Sequence, residues 1–417
     1  MLSSLEVMTS EISGIKAPIT PEVISVWQMA QIREAMRRAA EQSAFYAKRL
    51  QSVDISSIDC EQAMRRVPFT TQEELTEAPD AFVCVPEKKI SRVTSLRTSG
   101  STAAPKRLRF TEADLARTAR LFELGMTPII GGGKRCLVMM SDATPGSIAS
   151  LLKEGVERTG VPALIYGGIT DVDAAAAAVQ SGDAIIGVPS QIIRLCRKYP
   201  RLRPESLLLS ADYVPEPIPD AIRDLWQCRV YTHYGMTETC FGCAVQCGEE
   251  SAQHIRHDSL LIEIIDPATG EPLPAGSVGE IVVTAFANEA TPLFRYRTGD
   301  ISSLAVGKCE CGSLLPRLER VRGRLKNIFE IDGKKLSIEK IDDALYAIPE
   351  LYGYTAALQT AHGKKTLFLQ AESASFAQIK EKIKKALSAL LPASVTAVIE
   401  EQKSPQPLPY KRRMTVE

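Results

Sequence analysis

Cys136-Leu-Val-Met-Met140, Ala163-Leu-Ile-Tyr-Gly-Gly168, Asp183-Ala-Ile-Ile-Gly-Val-Pro189, Leu207-Leu-Leu-Ser-Ala211 and Arg229-Val-Tyr-Thr-His-Tyr-Gly235 are five short apolar runs, most of them closed by glycine, proline or a small residue. Runs of this length and composition read as strands buried on both faces. The stretches between them read as helices. Asp171, for example, precedes the alanines of the 171–180 segment in the manner of an N-cap before residues of high helix propensity. Strands alternating with helices predict an α/β fold with parallel sheets covered on both faces, and this texture extends from about Thr94 to Val321.

Upstream, Ile24 to Leu50 has helical periodicity, with Ile32, Met36 and Ala40 on one face, and predicts an outer helix. Downstream of Gly323 the pattern changes. IFEIDGKKLS predicts a hairpin turning at Asp332-Gly333, followed by a helix from Ile338 to Ala347. A strand pair flanks His362-Gly363. Ser375 and Gln378 form a capping-box pattern before a helix whose Phe376, Ile379, Ile383 and Leu387 share a face. The strand SVTAVIEE and a Pro-rich basic tail follow. At 417 residues the chain exceeds one usual core. The expected division is a large N-terminal domain, 1–323, of parallel and mixed sheets, and a small mobile α+β domain, 324–417.

Fifty basic residues balance fifty acidic ones, which argues against nucleic acid or an anionic membrane as the main partner. The first thirty residues lack the basic and apolar pattern of a secretory signal, and runs such as Leu137 to Met140 are far too short to span a bilayer. A cytoplasmic location is expected. In that compartment the ten cysteines read as buried thiols and metal ligands rather than disulfides. Cys60, Cys84, Cys136, Cys196 and Cys228 are scattered and read as small core residues.

Three segments carry chemistry. Leu96-Arg-Thr-Ser-Gly-Ser-Thr-Ala-Ala-Pro-Lys106 places hydroxyls and N–H groups around a glycine, with a lysine charge, as phosphate oxygens require. It is not a Walker loop, and neither is the GGGKR around Lys134. In Tyr231-Thr-His-Tyr-Gly-Met-Thr-Glu238, a tyrosine offers a flat face to a purine, and threonine and glutamate offer hard oxygens to magnesium. Tyr296-Arg-Thr-Gly-Asp300 ends in a carboxylate suited to two ribose hydroxyls. Taken singly, each segment also reads as an ordinary turn, cap or surface carboxylate.

Together, in this order, these segments resemble the adenylate-forming superfamily of acyl-CoA synthetases, luciferases and peptide-synthetase adenylation domains. TSGSTAAPK looks like its phosphate loop, YGMTE its adenine and magnesium segment, YRTGD its ribose aspartate, and GRLKNIFEIDGKKLSIEKI its interdomain hinge. FTTQEEL, EIIDPATGEPLPAGSVGEIVVT, NEATPLFRYRTGD and CECGSLLPRL look like the phenylacetate–CoA ligase branch. The resemblance implies that Thr98, Ser99, Gly100, Ser101, Thr102 and Lys106 serve the ATP phosphates. Tyr234 and Gly235 would border the adenine, Thr237 and Glu238 would serve phosphate and magnesium, and Asp300 would bind the ribose. Arg324 would reach ribose or phosphate, and Lys326 would be the hinge. Asp212, in a Ser-Ala-Asp stretch where relatives usually show Gly-Ala-Glu, would lie beside the nucleotide. Lys411 best matches the catalytic C-terminal lysine, although Tyr410 and Met414 replace the glycine and arginine of that pattern. Ala103 stands where the family usually has glycine.

Cys247, His254, Cys309 and Cys311 could close a tetrahedral zinc site, and the same spacing in phenylacetate–CoA ligase relatives implies a structural zinc. Cys240, Cys243 and His257 remain alternative ligands at this level, and reduced thiols with a surface histidine are the bland reading. The expected reaction is activation of a carboxylic acid by ATP and Mg2+ to an acyl-AMP, then transfer to coenzyme A. A carrier-protein thiol, an amine acceptor, or a non-catalytic nucleotide- or acyl-binding relative are the alternatives. The acid is expected to be aryl or arylacetic, with Tyr166 and Gly167-Gly168 as candidate neighbours of its pocket. A homodimer is left open.

Overall fold

The computed structural model describes the chain apart from residues 1–3, 17, 97–105, 143–146, 249–251, 362–363, 403–407, 409–410, 413 and 417. It divides into two compact units, each built from separated stretches of sequence: Met1–Pro128, Ser150–Thr159 and His233–Arg320 in the first, and Ile129–Ala149, Gly160–Thr232 and Val321–Glu417 in the second.

The second unit holds the parallel sheet expected from the five apolar runs. Ala163–Ile165, Arg135–Met139, Asp183–Gly187, Ser206–Leu209 and Arg229–Tyr234 lie side by side in that spatial order, all parallel. The division between units falls inside the last strand, after Thr232. Every residue of Asp183–Gly187 and Ser206–Leu209 is buried, as strands covered on both faces should be. Asp171 caps the helix Val172–Ala178, its carboxylate accepting from the N–H groups of Asp173 and Ala174 at 2.9 and 3.0 Å. Helices Pro189–Lys198 and Pro217–Trp226 add Ile192, Leu195, Ile218 and Trp226 to a core that also takes in Ile341, Leu345, Tyr354 and Leu369 from the C-terminal part of the chain.

That C-terminal part begins with the hairpin Phe329–Ile331 and Lys334–Leu336. Asp332 and Gly333 both have positive φ, 52° and 72°, the backbone a two-residue turn of this hand demands. After helix Ile338–Tyr346 comes a four-stranded sheet in the order Val395–Glu401, Lys364–Ser373, Leu351–Ala361, Thr415–Val416, covered by helix Phe376–Leu390. Ser375 stands at the N-cap of that helix, but its side chain makes no capping bond, so the capping box expected with Gln378 does not form.

The first unit is mainly antiparallel. Leu260–Ile265, Gly279–Ala285 and Leu293–Ser302 form a meander, and Ile90–Leu96 pairs with Lys106–Thr111. The N-terminal helical region is two helices, Pro21–Gln42 and Ala44–Leu50, separated at Ser43, which is extended and caps the second. Ile32, Met36 and Ala39 are fully buried, whereas Ala40 is partly exposed, so the buried stripe is one residue off the expected line at its end.

Candidate active site

Lys106 opens the strand Lys106–Thr111, opposite Leu96 in the hairpin register. The nine residues between these partners include Thr98, Ser99, Gly100, Ser101 and Thr102, which lie outside the described residues. The Lys106 ammonium donates to Glu238 Oε1 at 2.5 Å and to the Tyr296 hydroxyl at 2.8 Å, and that hydroxyl donates to the same carboxylate oxygen at 2.9 Å. All three residues are at most 6% exposed. Burial pushes the Glu238 carboxyl up, but the charge and hydrogen bond of Lys106 outweigh it, and the net position is about 2. Glu238 is therefore a carboxylate throughout the physiological range, held against a cation in a poorly hydrated place.

Local backbone geometry sets this arrangement. Glu238 sits in the short turn Thr237–Thr239, where the chain doubles back so that the Phe241 N–H donates to the Met236 carbonyl at 2.9 Å. A Cβ on Gly235 would lie 2.1 Å from the Phe241 carbonyl oxygen, so only glycine fits at the start of the turn. The Asn288 amide donates to the Glu238 carbonyl at 3.0 Å and fixes its far side.

Asp300 is 2% exposed, and its Oδ2 accepts from the Tyr234 hydroxyl at 2.8 Å. Strand Leu293–Ser302 alternates, so Tyr296, Thr298 and Asp300 are all buried on one face. Gly299 takes φ 73° just before the aspartate, its N–H donating to Glu280 at 3.1 Å. Tyr296 is the residue that sequence reasoning missed as a site member. It lies inside the quoted YRTGD segment, and its period-two spacing from Asp300 is the signal that marks it. His233, one residue before Tyr234, is half-buried against the edge of Phe122 at 6.3 Å between ring centres, and desolvation lowers it to about 4, so it is neutral.

The remaining sequence-derived residues lie in the second unit. Arg324 belongs to the short strand Gly323–Arg324, and Lys326 to the turn Leu325–Asn327. This segment is tied to helix Ile338–Tyr346: Asn327 donates to Glu339 at 2.7 Å, and Gly323, at φ 130°, leaves only 2.9 Å between its notional Cβ and the Glu339 side chain. Lys411 is exposed, while its neighbour Arg412 is buried. Asp212 Oδ2 accepts the Arg412 backbone N–H at 2.6 Å.

In the first unit Cys247, His254, Cys309 and Cys311 bring four ligand atoms within 4.8 Å of one another. Cys247 Sγ is 3.1 Å from His254 Nε2 and 3.5 Å from Cys309 Sγ, and Cys311 Sγ is 3.4 Å from the same imidazole nitrogen. A zinc tetrahedron with Zn–S near 2.3 Å has edges of about 3.8 Å, close to these separations. Burial and the adjacent Cys309 thiol push the Cys247 thiol up, a cost that a cation relieves, so the donor set fits zinc. Strand Gln253–Ile255 carries His254 beside Arg317, and Gly312, at φ 90°, turns the chain after Cys311. The alternatives fall elsewhere. Cys240 accepts from Thr118 at 3.0 Å, Cys243 is 1% exposed, and His257 faces the Pro316 carbonyl at 3.0 Å.

The profile of the AMP-binding enzyme family matches residues 12–286. The chain belongs to that family. Among its members the chain is similar to the phenylacetate–coenzyme A ligase of Thermus thermophilus, 29% identical over 79% of this chain and 77% of the relative. It is similar also to that of Pseudomonas putida, 27% identical over 78% and 76%. The fold matches a crystal structure of 2-hydroxyisobutyryl-CoA ligase in the postadenylation state with 2-HIB-AMP, at TM-score 0.79 and 19% identity over 95% of this chain and 89% of that one. The chain is thus an adenylate-forming enzyme, phenylacetate–CoA ligase-like, with the mixed α/β architecture expected from its sequence. No helix among the described residues is long and apolar enough to cross a membrane.

Proposed function

We propose that this enzyme joins an aryl or arylacetic acid to coenzyme A in two steps. In the first, the acid's carboxylate oxygen attacks the α-phosphorus of ATP, the bond to the β-phosphate oxygen breaks, and pyrophosphate leaves an acyl-AMP. In the second, the coenzyme A thiolate attacks the acyl carbon, AMP departs, and the thiol proton passes to solvent. The observation that carries this reading is the buried Lys106–Glu238–Tyr296 cluster, whose Tyr296 shares a strand face with Asp300.

Lys106 carries a charge that turns from Glu238 to a phosphate when ATP enters, and Tyr296 keeps a hydrogen bond on the released carboxylate. Glu238, with Thr237, would hold magnesium, which supplies neutralising charge for the triphosphate when bound. Asp300 accepts the ribose hydroxyls, with Tyr234 at the base. Thr98, Ser99, Gly100, Ser101 and Thr102 bind phosphate oxygens, and Arg324 adds a cation. Lys411 serves the adenylation step, and residues 324–417 move as a small domain about Lys326 between steps, separate from 1–323. Cys247, His254, Cys309 and Cys311 would hold a structural zinc that pins two loops and leaves no open coordination position. The setting is cytoplasmic, with no nucleic acid or membrane partner.

The test is pyrophosphate release with a panel of arylacetic and benzoic acids, followed by assay for the coenzyme A thioester. Acid-dependent release and thioester formation are expected. Absence of acid-dependent release across the panel would remove the ligase reading, and release without consumption of coenzyme A would move the acceptor to a carrier protein or an amine.

A further inference from the structure

Leu408, Arg412 and the pair Thr415–Val416 are each anchored to the rest of the second unit. Leu408 is 3% exposed, and its carbonyl accepts from the Gln191 amide at 3.1 Å. Thr415 and Val416 run parallel to Leu351–Ala361, opposite Ala357 and Leu358. Between these points the Arg412 guanidinium is buried. It donates to Asp342 Oδ1 at 2.8 and 3.1 Å and to the Tyr354 carbonyl at 2.5 Å, and it lies 4.2 Å from the centre of the Tyr354 ring. The Tyr354 hydroxyl donates to Asp342 at 2.6 Å.

A guanidinium left in water keeps its charge at no desolvation cost. Burying it with a carboxylate costs about as much desolvation as the attraction returns, so a buried pair of this kind contributes position more than stability. The position concerned is that of Lys411, the adjacent residue.

The contacts of Arg412 divide into two kinds. Its side chain binds Asp342 and Tyr354, both within 324–417. Its backbone N–H binds Asp212, which lies in the turn after strand Ser206–Leu209. Ala211 has φ 74°, a left-handed conformation that costs a non-glycine residue roughly 1–2 kcal/mol and that sets the backbone just before Asp212. The same turn makes a second attachment: the Tyr213 hydroxyl and the Glu216 N–H both donate to Asp343, at 2.7 and 2.8 Å.

We infer that Arg412 is a positioning residue for adenylation. Its side chain fixes the tail to the small domain in every state, and its backbone N–H docks on Asp212 only while Lys411 is presented. Asp212 is then a docking point for the small domain rather than a nucleotide ligand. The inference rests on the two-step ligase reading and on Lys411 as the lysine of the first step.

The test uses the full-length enzyme with phenylacetate, ATP and Mg2+ for the first step, and synthetic phenylacetyl-AMP with coenzyme A for the second. Tail anchoring is read separately, as the rate at which trypsin cuts after Lys411 in the native protein. For Arg412→Ala, cleavage should rise about tenfold and adenylation fall about tenfold, while thioester formation changes less than about twofold. Arg412→Lys keeps the charge without the fork. It should show the same pattern at smaller size, and it decides the matter if the alanine variant does not fold. Asp212→Ala should slow adenylation while leaving tail cleavage unchanged. Wild-type cleavage in Arg412→Ala, or an equal loss in both steps, would overturn the inference. If the wild-type enzyme makes no adenylate from phenylacetate or from any other acid of the panel, the ligase reading fails, and the cleavage rates still report whether Arg412 anchors the tail.

Discussion

Asp300 and Tyr234 share a buried hydrogen bond of 2.8 Å, so the proposed ribose site would have an acceptor already oriented before any ligand arrives. Asp300→Ala removes a charged acceptor worth about 1.5–3 kcal/mol, or roughly 10- to 150-fold in kcat/KM for ATP. Steady-state kinetics in ATP and in acid check this, and unchanged values for both would take Asp300 out of the site. Asp212 supports a prediction on pH. Burial raises its carboxyl from 3.8 to about 7, against the opposing hydrogen bond from the Arg412 N–H. Because the folded value lies above the unfolded one, the stability this group contributes is fully present below about 4 and is lost as pH rises through about 7. The melting temperature of the wild type, relative to Asp212→Asn, should therefore decline across that interval. A constant difference between the two proteins from pH 4 to 8 would contradict the assignment.

Elements decide how far residues can be read from sequence. The five apolar runs appear as parallel strands because a strand buried on both faces has a compositional signature that survives without context. The Asp332-Gly333 turn was legible for a similar local reason, since few residues accept two successive positive φ values. The Ser375 capping box was not, because a side-chain bond at a helix end depends on neighbours the sequence does not reveal. Tyr296 was overlooked since its role exists only once Lys106 arrives from another strand and Glu238 from the turn Thr237–Thr239. The Cys and His cluster lies between these cases: spacing proposed four ligands, and folding joined them while leaving Cys240, Cys243 and His257 outside the group. About one zinc per chain is expected by metal analysis, with Cys309→Ser reducing occupancy and a chelator lowering the melting temperature by several degrees. Protein purified without added zinc that carries none and ignores the chelator would reject the site.

At the scale of the whole molecule, the two-step reading requires the segment around Lys326 to change its torsions between half-reactions. Proline at that position fixes φ and removes an N–H. Lys326→Pro should form acyl-AMP in a single turnover but convert it to thioester about tenfold more slowly. Equal rates for the variant and the wild type in both steps would show that the pivot lies elsewhere.

The Lys106–Tyr296 contact joins residues 190 positions apart, and that separation has a consequence for synthesis. A ribosome adding about 5–20 residues per second needs roughly 10–40 s to deliver the tyrosine after the lysine. Until Glu238 and then Tyr296 have been made, the ammonium lacks its full set of buried partners, so the hairpin that carries it must wait in water. The run of strands from Arg135 to Thr232 is complete before the wait ends. Nascent chains arrested ahead of residue 296 should thus be cut by protease near the Ile90–Thr111 hairpin and resist between Arg135 and Thr232; uniform sensitivity along the chain would contradict this order. The proposed phosphate-binding cluster is then completed only after the parallel strands have been made, so on the proposed reading a chain that ends before Tyr296 lacks an assembled site for ATP.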